Sequence, residues 1–395
     1  MSRFSWNSLY YGMSKTKIEA CNADLGKVDY PWDIVVLVSD DMIPEIRGYD
    51  EYIRRAATPD RDCIIWFNDG FQGYRLNTLS IYGRVMYERL GSMYNPLYKS
   101  FFCDTELTDL CKGELKAKTV YSPNCIIRHK HPLLGHAVAF DGLYMRNQRY
   151  LEEDLRLYVS RKAYEYDLSI LIPTLVERRA QCETLKTTLR EQFARLCPGL
   201  RLEILEALDN REMSVGMKRR TLLEAAQGKY SVFIDDDDSV TDAYFEDFLT
   251  CFNAGDDVMR LRGQMGPHTF THSLAYPLSG TMYVDGVFVR PPNHLNPMLS
   301  QIAKLASFED ATRGEDLKWT IDIARGGMLR TETTSDPSRI HYNYNIGGRV
   351  VDQRAIDYQS THTYEEWVKI LLVPAKKPEP KRTGMRLTSR GFVSK

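Results

Sequence analysis

Between Tyr230 and Val240 the chain reads YSVFIDDDDSV, so Asp235, Asp236, Asp237 and Asp238 follow directly on Val232, Phe233 and Ile234. Like charges at the end of an apolar strand repel one another and resist desolvation. A hard divalent cation relieves both, and Mg2+ commonly takes one or two carboxylates plus substrate phosphates. A strand that carries carboxylates to the C-terminal edge of an open α/β sheet delivers them where such sheets bind ligands. The residues therefore point to a Mg2+ or Mn2+ site that holds a phosphorylated ligand. The competing reading is a solvated acidic turn or an adventitious cation site.

The elements that must position this turn can be read around it. Lys218, Arg219 and Arg220 lie on a basic helix that stops at Gly228, where the strand begins. Upstream, LSILIPTL is a short apolar run ending near Pro173 and reads as a buried first strand. Downstream, Glu315 and Asp316 open an amphipathic helix that runs through Trp319 and Ile323. Acids in a first turn also serve simply as helix-dipole partners.

The first half repeats this order. GMSKTKIEACNADLGKVDYPWDIVVLVSDDMIPEIRGYDEYI places a basic helix before an apolar strand, DIVVLV, and then an acidic end at Asp40 and Asp41. Lys15 and Lys17 match the Lys218–Arg220 cluster. Each half then has an acidic helix start, FFCDTELTDL and RGEDLKWTIDI, and a histidine segment, CIIRHKHP and RIHYNYN. Four elements in one order argue for an internal repeat. Asp40, Asp41, Asp69, Asp104, Glu106, His129 and His131 are the candidates for a second, metal-bearing cleft.

KRRTLLEAAQGKYSVFIDDDDSV resembles the nucleotide-sugar-dependent glycosyltransferases of family 2, which have the GT-A fold. DLSILIPTLVERR is similar to their first strand and nucleotide loop, LEILEALDN to their second strand, and GEDLKW to the motif that supplies the catalytic base. The resemblance covers roughly Asp167 to Asn345. More loosely, the whole chain resembles uncharacterised phage or bacterial glycosyltransferase-like proteins, through SDDMIPEIRGYDEYI, FNDGFQGYRLNTLSIYG and YKSFFCDTEL.

The resemblance implies a role for each residue. Asp237 and Asp238 bind a cation bridging two phosphates, with His341 as a further metal ligand; a lone histidine is otherwise more often structural. Thr174, Glu177, Arg178, Asp235 and Asp236 contact the nucleotide or orient its contacts. Asp209 accepts from the base or ribose, unless it is a turn aspartate. Lys218, Arg219 and Arg220 suit diphosphate or base contacts, with at least one of them a solvated helix-face charge. Asp316 becomes the general base, with Glu315 beside it as the next candidate. His294, in PPNHLNPM, falls under the acceptor cleft. The donor is a nucleotide sugar, with a bias to UDP, and the acceptor is a glycan, a protein or a modified DNA base.

The expected fold class is α/β. Residues 1–145 form a partial GT-A-like domain without the nucleotide-binding half, because about eleven residues precede Gly12. Residues 146–166 form a linking helix with apolar spacing at Leu151, Leu155 and Val159. Residues 167–373 form the GT-A domain. Residues 374–395 form a disordered basic tail, either solubilising or a tether to an anionic polymer.

Composition excludes several classes. The 395 residues are 43% hydrophobic and 27% charged, with a formal net charge of -1, so global electrostatics select no partner. No apolar run reaches the ~18 residues of a membrane span. The eight cysteines include no C-x-x-C pair, so reduced thiols in a cytoplasm, the host's if the source is viral, are expected. Two rivals to an inverting glycosyltransferase remain. A nucleotidyl- or phosphotransferase calls for a phosphate-cradling loop, and G-x-x-x-x-G-K-[ST] is absent. A non-catalytic, polymer-binding pseudo-glycosyltransferase would cleave no sugar nucleotide.

Overall fold

A computed structural model describes residues 12–23, 25–28, 30–130, 142–345, 347 and 353–371. His131 and the basic tail lie outside the described residues. The chain is mixed α/β and divides into two compact units, Met1–Ala163 and Tyr164–Lys395.

In the first unit the strands are β1 (Ile34–Val36), β2 (Met42–Pro44), β3 (Ile64–Phe67), β4 (Ser80–Gly83), β5 (Thr119–Ser122) and β6 (Ile127–His129). The helices are α1 (Lys17–Asn22), α2 (Tyr49–Ala56), α3 (Arg84–Leu90), α4 (Cys103–Lys112), α5 (Gly142–Asn147) and α6 (Leu151–Arg161). A four-stranded sheet runs β1-β4-β3-β5, and β2 pairs with β6. The apolar run of β3 is buried at every position, which makes it the core strand. The apolar strand DIVVLV is not a buried one. Ile34–Val36 are half-buried, β1 is the sheet's edge, and Val38 is exposed.

The expected linking helix belongs to the first unit. Leu155 and Tyr158 of α6 are buried, and Tyr158 joins the core of Trp66, Tyr82 and Met86. Asp154 is fully buried, and its carboxylate accepts from the backbone amides of Lys99, Ser100 and Phe101 at 2.7–2.8 Å. Three charge-assisted bonds offset the desolvation of that carboxylate and anchor the helix.

The second unit opens with β7 (Tyr166–Leu175), α7 (Arg179–Leu196), β8 (Leu202–Asp209), α8 (Val215–Ala225), β9 (Gly228–Phe233), β10 (Ser239–Val240) and α9 (Asp242–Ala254). It continues with β11 (Val258–Met259), β12 (Leu261–Met265), β13 (His268–His272), β14 (Tyr283–Val284), β15 (Val287–Arg290), β16 (Met298–Leu299), α10 (Ser300–Ala303), α11 (Glu315–Gly326), β17 (Glu332–Thr333) and β18 (Tyr342–Tyr344). A six-stranded sheet runs β17-β11-β16-β9-β7-β8, with β8, β7 and β9 mutually parallel. A second sheet runs β10-β18-β12-β13-β15-β14. No helix among the described residues is long and apolar enough to cross a membrane.

The two main sheets share a pattern. β4 is antiparallel to β1 and β3, and β5 is parallel to β3. In the second unit β16 is antiparallel to β9 and β11, and β17 is parallel to β11. The orders β1-β4-β3-β5 and β9-β16-β11-β17 therefore agree in chain sequence and direction. β2 pairs with β6 as β10 pairs with β18. The second unit's β17–β8 sheet has two more strands, β7 and β8, beyond β9. Beside β1 an apolar groove of about 370 Å³ opens instead, lined by Ile34, Val36, Met42 and Ile53 among others.

Candidate functional site

The site of the second unit is assembled from three parallel strand ends and one helix start. β7 delivers Thr174, and the turn after it delivers Arg178. β8 ends at Asp209, and β9 leads into Asp235–Asp238. Helix α8 supplies the cations. Ser214 caps it, accepting from the Met217 amide at 3.1 Å. At Gly216 the backbone of Glu309 and Ala311 comes so close that a Cβ would lie 1.9 Å from the Glu309 carbonyl. This contact ties α8 to the segment leading into α11. That helix starts after Gly314, whose left-handed backbone (φ 76°) suits glycine. Trp319 stacks on Phe308 at 5.0 Å, fixing the helix face.

The four aspartates differ in environment. Asp235 receives both oxygens' bonds from Arg219 Nη2, at 3.0 and 3.2 Å. Asp236 is buried and accepts from the Thr174 hydroxyl at 2.7 Å and from Arg178 at 2.8 Å. Asp237 is partly open and lies 3.3 Å from Arg178. Asp238 is buried and accepts from the Tyr342 hydroxyl and the Asn345 amide, each at 2.7 Å. Burial pushes the Asp238 carboxyl up to about 7, with Asp235 and Asp237 adding to the rise against its two hydrogen bonds. Burial also raises Asp237, with Asp236 and Asp235 contributing and Arg178 opposing. Asp237 and Asp238 are thus short of positive charge.

The basic helix does not present free cations to a diphosphate. Lys218 is buried, pairs with Asp209 and donates to the Thr174 carbonyl at 2.6 Å. Arg219 is buried between Asp235 and Glu315, 3.3 Å from the latter, and lies 5.1 Å over the Phe233 ring. Arg220 donates to the Phe308 carbonyl at 2.9 Å. Asp209 also accepts from the Met213 amide at 2.7 Å, as a turn aspartate does. Glu177 is exposed and pairs with Arg211. Through Arg219, however, the acidic turn and the start of α11 become one cluster. Glu315 is buried, and its pKa rises through that burial, with Asp316 adding to the rise and Arg219 opposing it. Asp316 is more open, its side chain 23% exposed, and lies 3.8 Å from His294 Nδ1.

His341 is not brought to the turn as a cation ligand. Its Nδ1 accepts from the Arg262 amide at 2.9 Å and its Nε2 meets Asp247 at 2.7 Å, so both ring nitrogens are occupied. The adjacent Tyr342 reaches Asp238 instead. The same RIHYNYN stretch held that signal, but its histidine drew the expectation. Among the described residues no group of three His, Cys, Asp or Glu side chains is arranged to hold a metal.

In the first unit the candidates divide. His129 Nε2 meets Asp41 at 3.1 Å, and its Nδ1 lies 3.5 Å from Asp69. Asp69 is buried; its Oδ1 accepts from the amides of Phe71, Gln72 and Gly73, and its Oδ2 from Thr78. Asp40 is exposed. Asp104 lies in the first turn of α4, whose preceding residue Phe102 has the left-handed backbone that Gly314 has before α11. Glu106 serves structure, accepting from Asn95, Tyr98 and Arg161. The apolar groove beside β1 is lined by none of these candidates.

No family model and no curated protein matches the sequence. Among solved structures, residues 1–349 of S. aureus TarS match at 14% identity and a TM-score of 0.29, over 45% of this chain and 60% of that one. The same TarS segment in complex with UDP-GlcNAc matches at 12% identity and a TM-score of 0.30, over 54% and 68%. This chain thus spans about 60% of the first neighbour's length. At these scores fold family and chemistry rest on the chain's own residues.

Proposed function

We propose that the second unit is a metal-dependent, inverting glycosyltransferase of the GT-A kind, moving a sugar from a nucleotide sugar, UDP-linked by preference, to an acceptor hydroxyl. The observation that carries this reading is the joining of Asp235 to Glu315 by Arg219. It gathers an acidic strand end and a helix-start carboxylate at the C-terminal edge of the parallel strands, where open α/β sheets bind ligands.

A divalent cation fits the donor set. Asp237 and Asp238 offer hard oxygen ligands and are short of positive charge. Two carboxylates, with phosphates and water completing the shell, match how Mg2+ is commonly held. When bound, the cation supplies electrophilic stabilisation of the departing diphosphate. Thr174 and Arg178 hold Asp236, and Arg178 bridges Asp236 and Asp237, offsetting part of the turn's negative charge. Asp316 takes the proton of the acceptor hydroxyl as that oxygen attacks the anomeric carbon, and Glu315 stays with Arg219. The nucleoside diphosphate leaves from the opposite face, which inverts the anomeric centre.

The first unit is, on this reading, a partial GT-A-like repeat with an accessory role. Among the described residues its sheet matches β9, β16, β11 and β17 and shows no counterpart of β7 or β8. The acceptor is a glycan, a protein or a hydroxymethylated DNA base, in a cytoplasm. A thermal-shift screen of nucleotide sugars with Mn2+, followed by hydrolysis assays, tests the proposal, since a ligand that binds the folded chain raises its Tm. No shift and no hydrolysis with any nucleotide sugar overturns it.

A further inference from the structure

The Asp316 carboxylate receives no hydrogen bond from the described residues. The polar atom set beside it is His294 Nδ1, at 3.8 Å. His294 is held firmly by its backbone. Its carbonyl accepts from the Phe233 amide at 2.9 Å, at the end of the strand that leads into the acidic turn. The flanking turn is closed by Asn293 Oδ1 on the Leu295 amide and Asn296 Oδ1 on the Asn293 amide, each at 3.0 Å. Asn296 Nδ2 then reaches the Met259 carbonyl at 2.9 Å. The side chain is 8% exposed, and its Nδ1 is buried without a partner.

A buried polar atom left unpaired costs stability. A rigid turn that maintains such an atom beside the base carboxylate points to a partner acquired during the reaction. Burial, together with the charges of Arg219 and Arg290, keeps the ring neutral. A neutral imidazole carries one N–H, and its tautomer is set by whichever acceptor it meets.

We propose that His294 is a positioning residue for Asp316: Nδ1–H donates to Oδ2 when the acceptor binds, turning Oδ1 toward the acceptor hydroxyl. The hydroxyl proton passes to Oδ1, and His294 keeps its own proton throughout. This rests on the function proposed above.

The test compares His294→Asn with His294→Gln in the full chain. The asparagine amide lies where Nδ1 does and can donate to Oδ2; the glutamine amide lies where Nε2 does. The probe is Mn2+-dependent hydrolysis of a UDP-sugar that wild type cleaves. Expected are near wild-type kcat for His294→Asn and a loss on the order of 10²-fold for His294→Gln, the scale of a misplaced catalytic group, with KM for the donor unchanged in both. Equal kcat for the two variants, whether high or low, overturns the positioning role and leaves the proposed function standing. A KM change without a kcat change also overturns it. A wild type that hydrolyses no nucleotide sugar removes the underlying function and this role with it.

Discussion

The chain carries two acidic turns after matching strands, Asp40–Asp41 after β1 and Asp235–Asp238 after β9, and it treats their charge differently. In the first, Asp41 sits against His129, and the neighbouring Asp69 is satisfied by three backbone amides and a hydroxyl. Asp69 and Asp41 hold the His129 pKa above its usual value despite its burial. The first turn thus supplies its own counter-charge. In the second, Arg219 and Arg178 serve Asp235 and Asp236, while among the described residues Asp238 accepts from a phenol and an amide and is pushed up to about 7. A carboxylate whose neighbours disfavour its charge gains most from a cation that arrives with a ligand. The comparison teaches that an acidic motif signals a cation site only where the protein leaves it unneutralised.

The largest test of this contrast is Asp238→Asn. It should abolish divalent-dependent UDP binding in calorimetry, whereas the double change Asp40→Asn, Asp41→Asn should leave that binding intact. Equal losses would break the comparison. Next, Asp316→Asn should lower turnover by at least ~10²-fold, the lower scale of general acid–base catalysis, with nucleotide affinity kept. Asp104→Asn, at the matching helix start of the first unit, should leave turnover unchanged.

Stability sharpens the contrast further. Arg219→Leu leaves Glu315 and Asp235 without their buried cation and should destabilise the chain by about 3–5 kcal/mol, measured by denaturant unfolding. A change below ~1 kcal/mol would mean that water already serves these carboxylates.

The smallest expected effect is on pH dependence, measured with chelator present. Asp238 titrates at about 7 in the folded chain against an ordinary 3.8. Between those values the folded state keeps a proton that the unfolded state has released, so stability falls as pH rises through this window. Asp238→Asn, or added Mn2+, should remove that fall. His129 acts in a higher window. Its contribution is complete below 6.5 and is lost as pH rises through its elevated folded value, so His129→Gln should flatten only that part. A single fall that both variants abolish would merge the two turns.

Much of the site's outline was legible from local sequence. Asp235–Asp238 stand out because four carboxylates beside an apolar run need company wherever they fold. The start of α11 was visible because glycine precedes two acids and an apolar face at helical spacing. Four strands of the two main sheets agree in chain order and direction. The cation assignments were not legible. Lys218 and Arg219 read as ligand contacts, yet both are consumed by internal carboxylates.

Sequence by itself marked the strands that become β1, β7 and β9, the acidic starts of α4 and α11, and an excess of carboxylate at one strand end of the second half. Tertiary structure decided which of those charges are answered from within. Arg219 meets Glu315 across 96 positions of chain, His341 meets Asp247 across 94, and His129 meets Asp41 across 88. The physical reason is one of range. Strand and helix signals arise from neighbours along the chain, whereas the free energy of a buried charge depends on whatever the fold places within a few ångströms of it.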